Sequence, residues 1–270
     1  ALALIPLALP AAPENTSASR ILPIDKTSVA VTDFTEAGRE LALPSAHNPV
    51  YFVGLNAGYR VYAGTPFAND QPPEDKAMLA VITEVLAKQH FLAADAEHPA
   101  TQMIVCSWGT IESGGLDFLG GRKLDVIEES TISGNISADI FKRRFHSGEA
   151  ETVLSMSRGP LYAVLIRAYD LEKAFKGDIV QLWETRIACA TPMTSLQSAL
   201  PGLVVAGQYT IGRETAQPVV RNAARTRDAW VEIGESTVVD YINVSELEAA
   251  KRDARRKQAG GAKPVETEKP

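Results

Sequence analysis

The stretch Gly115-Leu116-Asp117-Phe118-Leu119-Gly120-Gly121-Arg122 has the glycine spacing of a phosphate-binding loop. Such a loop needs a lysine after its last glycine to reach the phosphates, and then a Ser or Thr to hold Mg²⁺. Gly121 and Arg122 stand in those two places, so the stretch reads as a flexible insertion loop. His90, Asp95, Glu97 and His98 are a local group of metal-ligand types, but no HExxH or equivalent helical spacing accompanies them. The simpler reading puts His90 at a helix C-terminus, where it favours the dipole, and the acids in water. A G-x-S-x-G nucleophile elbow is absent. His146-Ser147 sets an imidazole beside a hydroxyl, with a solvated helix end as the simpler reading. No catalytic residue, metal ligand or cofactor is therefore assigned.

Two basic spots remain: Lys142-Arg143-Arg144, and Arg221, Arg225 and Arg227 near Trp230. Guanidinium groups hold anionic partners well, but Glu149, Glu151 and Asp228 offset these two. Ser137 is a suitable N-cap for a helix that carries Ile140, Phe141 and Phe145 on one side. Phe141, Arg143, Arg144 and Phe145, together with Arg122, are the candidate binding residues. Cys106 and Cys189 each lie in an apolar strand-like run. They either form a disulfide, as a pair in an exported protein can, or stay as two buried apolar thiols.

These residues need a frame to position them. Residues 29–34, 50–53, 59–62, 101–108 and 161–166 are β-like runs, and 50–62 reads as a strand pair or one bulged strand. The clearest helix follows Pro72-Pro73-Glu74-Asp75, with Met78, Val81, Ile82, Val85 and Leu86 at the 3.6-residue period, and runs to about His90. Strand, helix and strand in that order predict a crossover unit. The continuous apolar run 161–166 fits a central strand covered on both faces. In 179–190 one face is apolar while the other carries Glu184 and Arg186, which predicts a strand near a sheet edge. Ser195 caps an apolar helix that kinks or restarts at Pro201. Residues 230–233 and 238–242 are weaker strands. The glycine-rich 109–160 reads as a partly helical insertion, with 149–157 helical. The expected fold is α/β, or α+β, with a mixed sheet of about four to six strands and two or three helices.

The ends differ from the middle. Residues 1–13, Ala-Leu-Ala-Leu-Ile-Pro-Leu-Ala-Leu-Pro-Ala-Ala-Pro, resemble the apolar part and cleavage region of a secretory signal peptide. Residues 1–25 are expected to be a leader, 26–244 one domain, and 245–270 a charged helical or disordered tail. The 270 residues have a net charge of −6. The tail holds seven Lys/Arg and five Asp/Glu, so the remainder is −8, which argues against nucleic-acid binding. No apolar run reaches the roughly 20 residues that span a bilayer, although peripheral tethering stays open.

The segment Leu86-Ala87-Lys88-Gln89-His90-Phe91 leads into Gln102-Met103-Ile104-Val105, and Gly177 later precedes Leu182-Trp183-Glu184. This order resembles the small α/β domains of bacterial envelope lipoproteins, over roughly residues 50–212. In that family a helix ends in L-x-x-x-G-[FY], and His90 stands at the glycine. The resemblance implies a non-enzymatic envelope role in binding, assembly or scaffolding. With the export-like start, the expected protein is periplasmic or secreted, with outer-membrane association open, and its partner is an envelope protein or a second copy. The alternatives are a hydrolase with its site in 109–160 and a self-assembling structural subunit.

Overall fold

A computed structural model describes residues 19–21, 27–63, 71–111, 152–153, 155–156, 159–191, 195–221, 231–233, 241–246, 248–249 and 252. In chain order its elements are β1 (Ser19–Ile21), β2 (Ser28–Phe34), α1 (Glu36–Arg39), β3 (Val50–Ala63), α2 (Asp75–Lys88), β4 (Phe91–Ala93) and β5 (Gln102–Ile111). Then follow β6 (Leu161–Asp170), α3 (Leu171–Phe175), β7 (Gln181–Ala190), α4 (Leu196–Gly207), β8 (Val219–Arg221), β9 (Val231–Ile233) and β10 (Ile242–Asn243). The main sheet has eight strands in the order β10-β3-β5-β6-β7-β2-β8, with β4 also paired to β3. Strands β4, β5 and β10 run parallel to β3, and the remaining neighbours are antiparallel. β1 and β9 form a separate antiparallel ribbon.

The α/β class therefore holds, but the strand count exceeds the expected four to six. The excess comes from β4, β8 and β10, which have only two or three residues each. Alternation cannot be recognised over so few positions. The crossover is present, since β3 and β5 are parallel neighbours joined through α2. Met78, Val81, Ile82, Val85 and Leu86 of α2 are all buried against the sheet. Fully burying such side chains contributes roughly 1.5–3 kcal/mol each. Residues 50–63 form one bulged strand, with a register shift between Asn56 and Gly58. The fourth helix is continuous through Pro201, and its start is capped by Ser195, whose hydroxyl accepts from the Ser198 amide.

Two further expectations are sharpened. β7 lies near the sheet edge but not at it: it sits between β6 and β2, with only β2 and the three-residue β8 beyond. Its charges are neutralised on the sheet itself: Glu184 bonds Arg167, its register neighbour on β6. Arg186 bonds Asp33 and lies 3.2 Å from Glu184. The insertion begins later than residue 109, since β5 continues to Ile111, which pairs with Leu161. Gly109 is a close-approach position: with φ +158, a Cβ there would come within 1.7 Å of the Arg60 carbonyl oxygen. Thr152, Val153, Ser155 and Met156 are helical, in line with the expectation for 149–157.

Cys106 and Cys189 do not form the disulfide. They lie on β5 and β7 with β6 between them, opposite Ile166 and Tyr162 respectively. Two interstrand spacings of about 4.8 Å already exceed the roughly 7 Å Cα separation that a bridge allows. Both are buried in the core between sheet and helices.

Candidate functional site

A concavity lies at the end of the sheet where β3 and β5 begin and β6 ends. It is a groove of about 680 Å³ between the loop after α1 and the short helix α3. One wall starts at Thr35, which caps α1 by accepting from the Gly38 amide at 3.2 Å. The Thr35 amide donates to the Leu182 carbonyl at 2.9 Å, which fixes this corner to β7. Residues 41–49 then pass along the groove, closed by reciprocal Ser45 and Asn48 backbone bonds of 3.0 and 3.1 Å. The opposite wall is α3, capped by Asp170 accepting from the Lys173 amide at 2.9 Å. The Leu171 amide donates to the Thr101 carbonyl at 3.2 Å, which ties α3 to the start of β5.

The lining is apolar with an acidic side. Leu41, Pro49, Val50, Leu171 and Leu182 supply apolar surface, and the ionisable lining side chains are Tyr51, Asp170 and Glu172. Leu41 is 47% exposed and Phe175 is 83% exposed, so the rim presents large apolar groups to solvent. Leu43 and Ile179 are exposed as well. Gln102 also lines the groove at 6% exposure, and its Oε1 accepts no hydrogen bond among the described residues. Tyr51 stacks on His98, with ring centroids 4.5 Å apart and planes 9° apart.

The residues singled out for metal chemistry do not form a centre. No group of three or more His, Cys, Asp or Glu side chains converges among the described residues. Asp95 and His98 build a tight turn: Asp95 Oδ1 accepts from the Glu97 and His98 amides at 2.9 and 2.7 Å. His98 Nδ1 lies 3.0 Å from the same carboxylate. That bond, followed by the one from the His98 amide, holds the Asp95 carboxyl below the ordinary range. His90 instead occupies a left-handed position after α2, at φ +65.

Two groups that could act as nucleophile or base, Cys106 in the core and the half-buried Tyr62, are held protonated. Burial pushes the Cys106 thiol up to about 12, against the opposing hydrogen bond from Tyr241. Burial likewise raises Tyr62, although Ser107 and then Arg167 oppose it. For Arg167, burial acts against the cation, but the hydrogen bond and charge of Glu184 outweigh it and its pKa is raised. The Asp33–Arg186–Glu184–Arg167 row thus matches two acids with two bases on the sheet and is structural.

Arg122, Phe141, Arg143, Arg144, Phe145 and the His146-Ser147 pair lie outside the described residues. So do residues 1–18 of the expected leader 1–25 and residues 253–270 of the expected tail 245–270, whereas Ser19–Ile21, inside the expected leader, pairs with β9. The groove was missed because its members come from four separated segments. Its one local signal is α3, where Leu171 and Phe175 share a face at i,i+4 and Phe175 has no place in the core.

No protein-family model matches the chain, and no curated protein matches it. Among solved structures, the chain is similar to a PDZ domain protein from Parabacteroides distasonis at 12% identity and a TM-score of 0.34. That match covers 73% of this chain and 39% of the other, so the chain spans well under half of that protein's length. It is also similar to the PelC dodecamer from Paraburkholderia phytofirmans at 14% identity and a TM-score of 0.30, over 68% of this chain and 98% of that one. Likenesses this low leave fold and function to be argued from the chain's own residues.

Proposed function

We propose that the chain is a non-enzymatic binding or assembly protein of the bacterial cell envelope that docks a partner in the groove between residues 41–51 and α3. The observation that carries this reading is the 680 Å³ groove rimmed by Phe175, a large apolar side chain left 83% exposed. Apolar surface costs free energy in water, and a contiguous exposed apolar patch beside polar groups marks an interaction site. The envelope assignment rests on the signal-like run at 1–13 and on the resemblance to envelope lipoprotein domains. No helix among the described residues is long and apolar enough to cross a membrane.

Affinity capture from envelope extracts with the natural chain and with Phe175→Ser tests the reading. The expected result is a partner retained by the natural chain and lost by the variant. Equal capture by both would remove the groove from the function, and recovery of only the chain itself would identify the partner as a second copy. Fractionation that finds the protein solely in the cytosol would remove the envelope assignment.

A further inference from the structure

The groove is chemically one-sided. Its charged lining groups are Asp170 and Glu172, both acids. The bases of the same helix reach these acids from outside the lining: Lys173 stands 3.9 Å from Asp170, and Lys176 bonds Glu172. Both pairs are local to α3, and the Glu172–Lys176 pair is largely exposed. Exposed pairs of this kind are held weakly and are readily exchanged. Gln102 lines the same groove, and its buried Oε1 has no donor among the described residues, which carries a desolvation cost. Leu41, Phe175 and Tyr51 supply apolar and aromatic surface beside these acceptors.

We propose that the groove receives a polypeptide segment of a partner in which a cationic side chain, best an arginine, is flanked by large apolar residues. The cation meets Asp170 and Glu172, and the apolar neighbours cover Phe175 and Leu41. This rests on the docking reading above and adds the chemistry of the partner. Arginine is favoured over lysine because its planar fork bonds carboxylates through two parallel N–H groups and stacks on aromatic rings. An anionic segment would face two carboxylates with no cation in the lining. Nucleic acid and an anionic lipid surface are disfavoured for the same reason.

The test is fluorescence anisotropy of the full chain with three labelled peptides. The first joins Arg to Leu and Phe through Gly spacers, the second has Glu in place of Arg, and the third has Ser in place of Leu and Phe. The first peptide is expected to saturate, with the other two at least about tenfold weaker, and its affinity is expected to fall as salt rises. Phe175→Ser, at an exposed position that leaves the core intact, should weaken the first peptide. Glu172→Lys should weaken the Arg peptide and strengthen the Glu peptide, an exchange that a merely destabilised fold would not produce. Equal binding of all three peptides, or no change in either variant, would overturn the proposal. Should the natural chain capture an envelope partner through Phe175 while the peptides show no charge preference, the docking reading stands and the cationic segment falls. Should capture ignore Phe175→Ser, the docking reading itself falls.

Discussion

The ring of Tyr241 fills the space that a side chain at Gly54 would need: a Cβ at that position would lie 2.4 Å from Tyr241 Cε1. The phenol lies 3.1 Å from the Thr83 hydroxyl on α2 and also bonds Cys106 on β5. One aromatic side chain thus fastens the segment before β10 to both layers of the core. Asn243 reinforces it by accepting from Asn56 Nδ2 at 2.9 Å, while the same Nδ2 donates to Asp75 at 2.7 Å.

Gly54→Ala is expected to destabilise the fold by about 1–3 kcal/mol, because the methyl group and the ring cannot share the slot. Tyr241→Phe keeps the ring and loses only its hydroxyl bonds, so it should cost about 1 kcal/mol. Urea denaturation of both variants checks the order. A Gly54→Ala variant as stable as the natural chain would show that the ring does not occupy this slot.

Arg186 lies between Asp33 and Glu184 on the sheet. Arg186→Met removes the cation and leaves two nearly buried carboxylates facing each other, at an expected cost of about 3–5 kcal/mol. Phe175→Ser serves as the exposed control and should change stability by less than about 0.5 kcal/mol. Thermal unfolding of the two variants side by side distinguishes a structural row from a functional surface.

Stability should fall in alkali. Burial raises Cys106 from 9.0 to about 12 and raises Tyr62 and Tyr241 above 10.0. Raised folded values mean that the unfolded chain loses these protons first. Their contribution is therefore fully present below pH 9.0 and declines as pH rises towards and through the folded value of about 12. Denaturation midpoints measured between pH 8 and pH 11 should decline, and Cys106→Ala should shallow the slope. A thiol reagent should leave Cys106 unmodified in the native chain at neutral pH and modify it on unfolding.

His90 holds a left-handed backbone at φ +65, where a side chain is strained. His90→Gly should relieve that strain and stabilise the chain by roughly 1 kcal/mol, less the added entropy of the unfolded glycine. Calorimetry provides the check, and a loss of stability would show that the His90 ring makes a compensating contact.

The sequence by itself determined the elements long enough to show a period. The helix from Asp75, the bulged strand through Asn56, the crossover into Gln102 and the covered strand from Leu161 are local patterns of apolar spacing and turn chemistry. The helix end near His90 was legible too, but not the left-handed backbone there, at φ +65. Only the tertiary structure decided the rest. Glu184 and Arg186 suggested only a strand near an edge, because a linear pattern cannot show that Arg167 and Asp33, far apart in sequence, lie on the neighbouring strands. Cys106 and Cys189 remained open as a pair until β6 was found between them. Strands β4, β8 and β10 hold by pairing to longer strands rather than by their own periodicity, and the groove exists only where Leu41, Tyr51, Gln102 and Phe175 meet. Contacts between distant segments depend on how the layers pack, and residue spacing carries no record of that until the chain is folded.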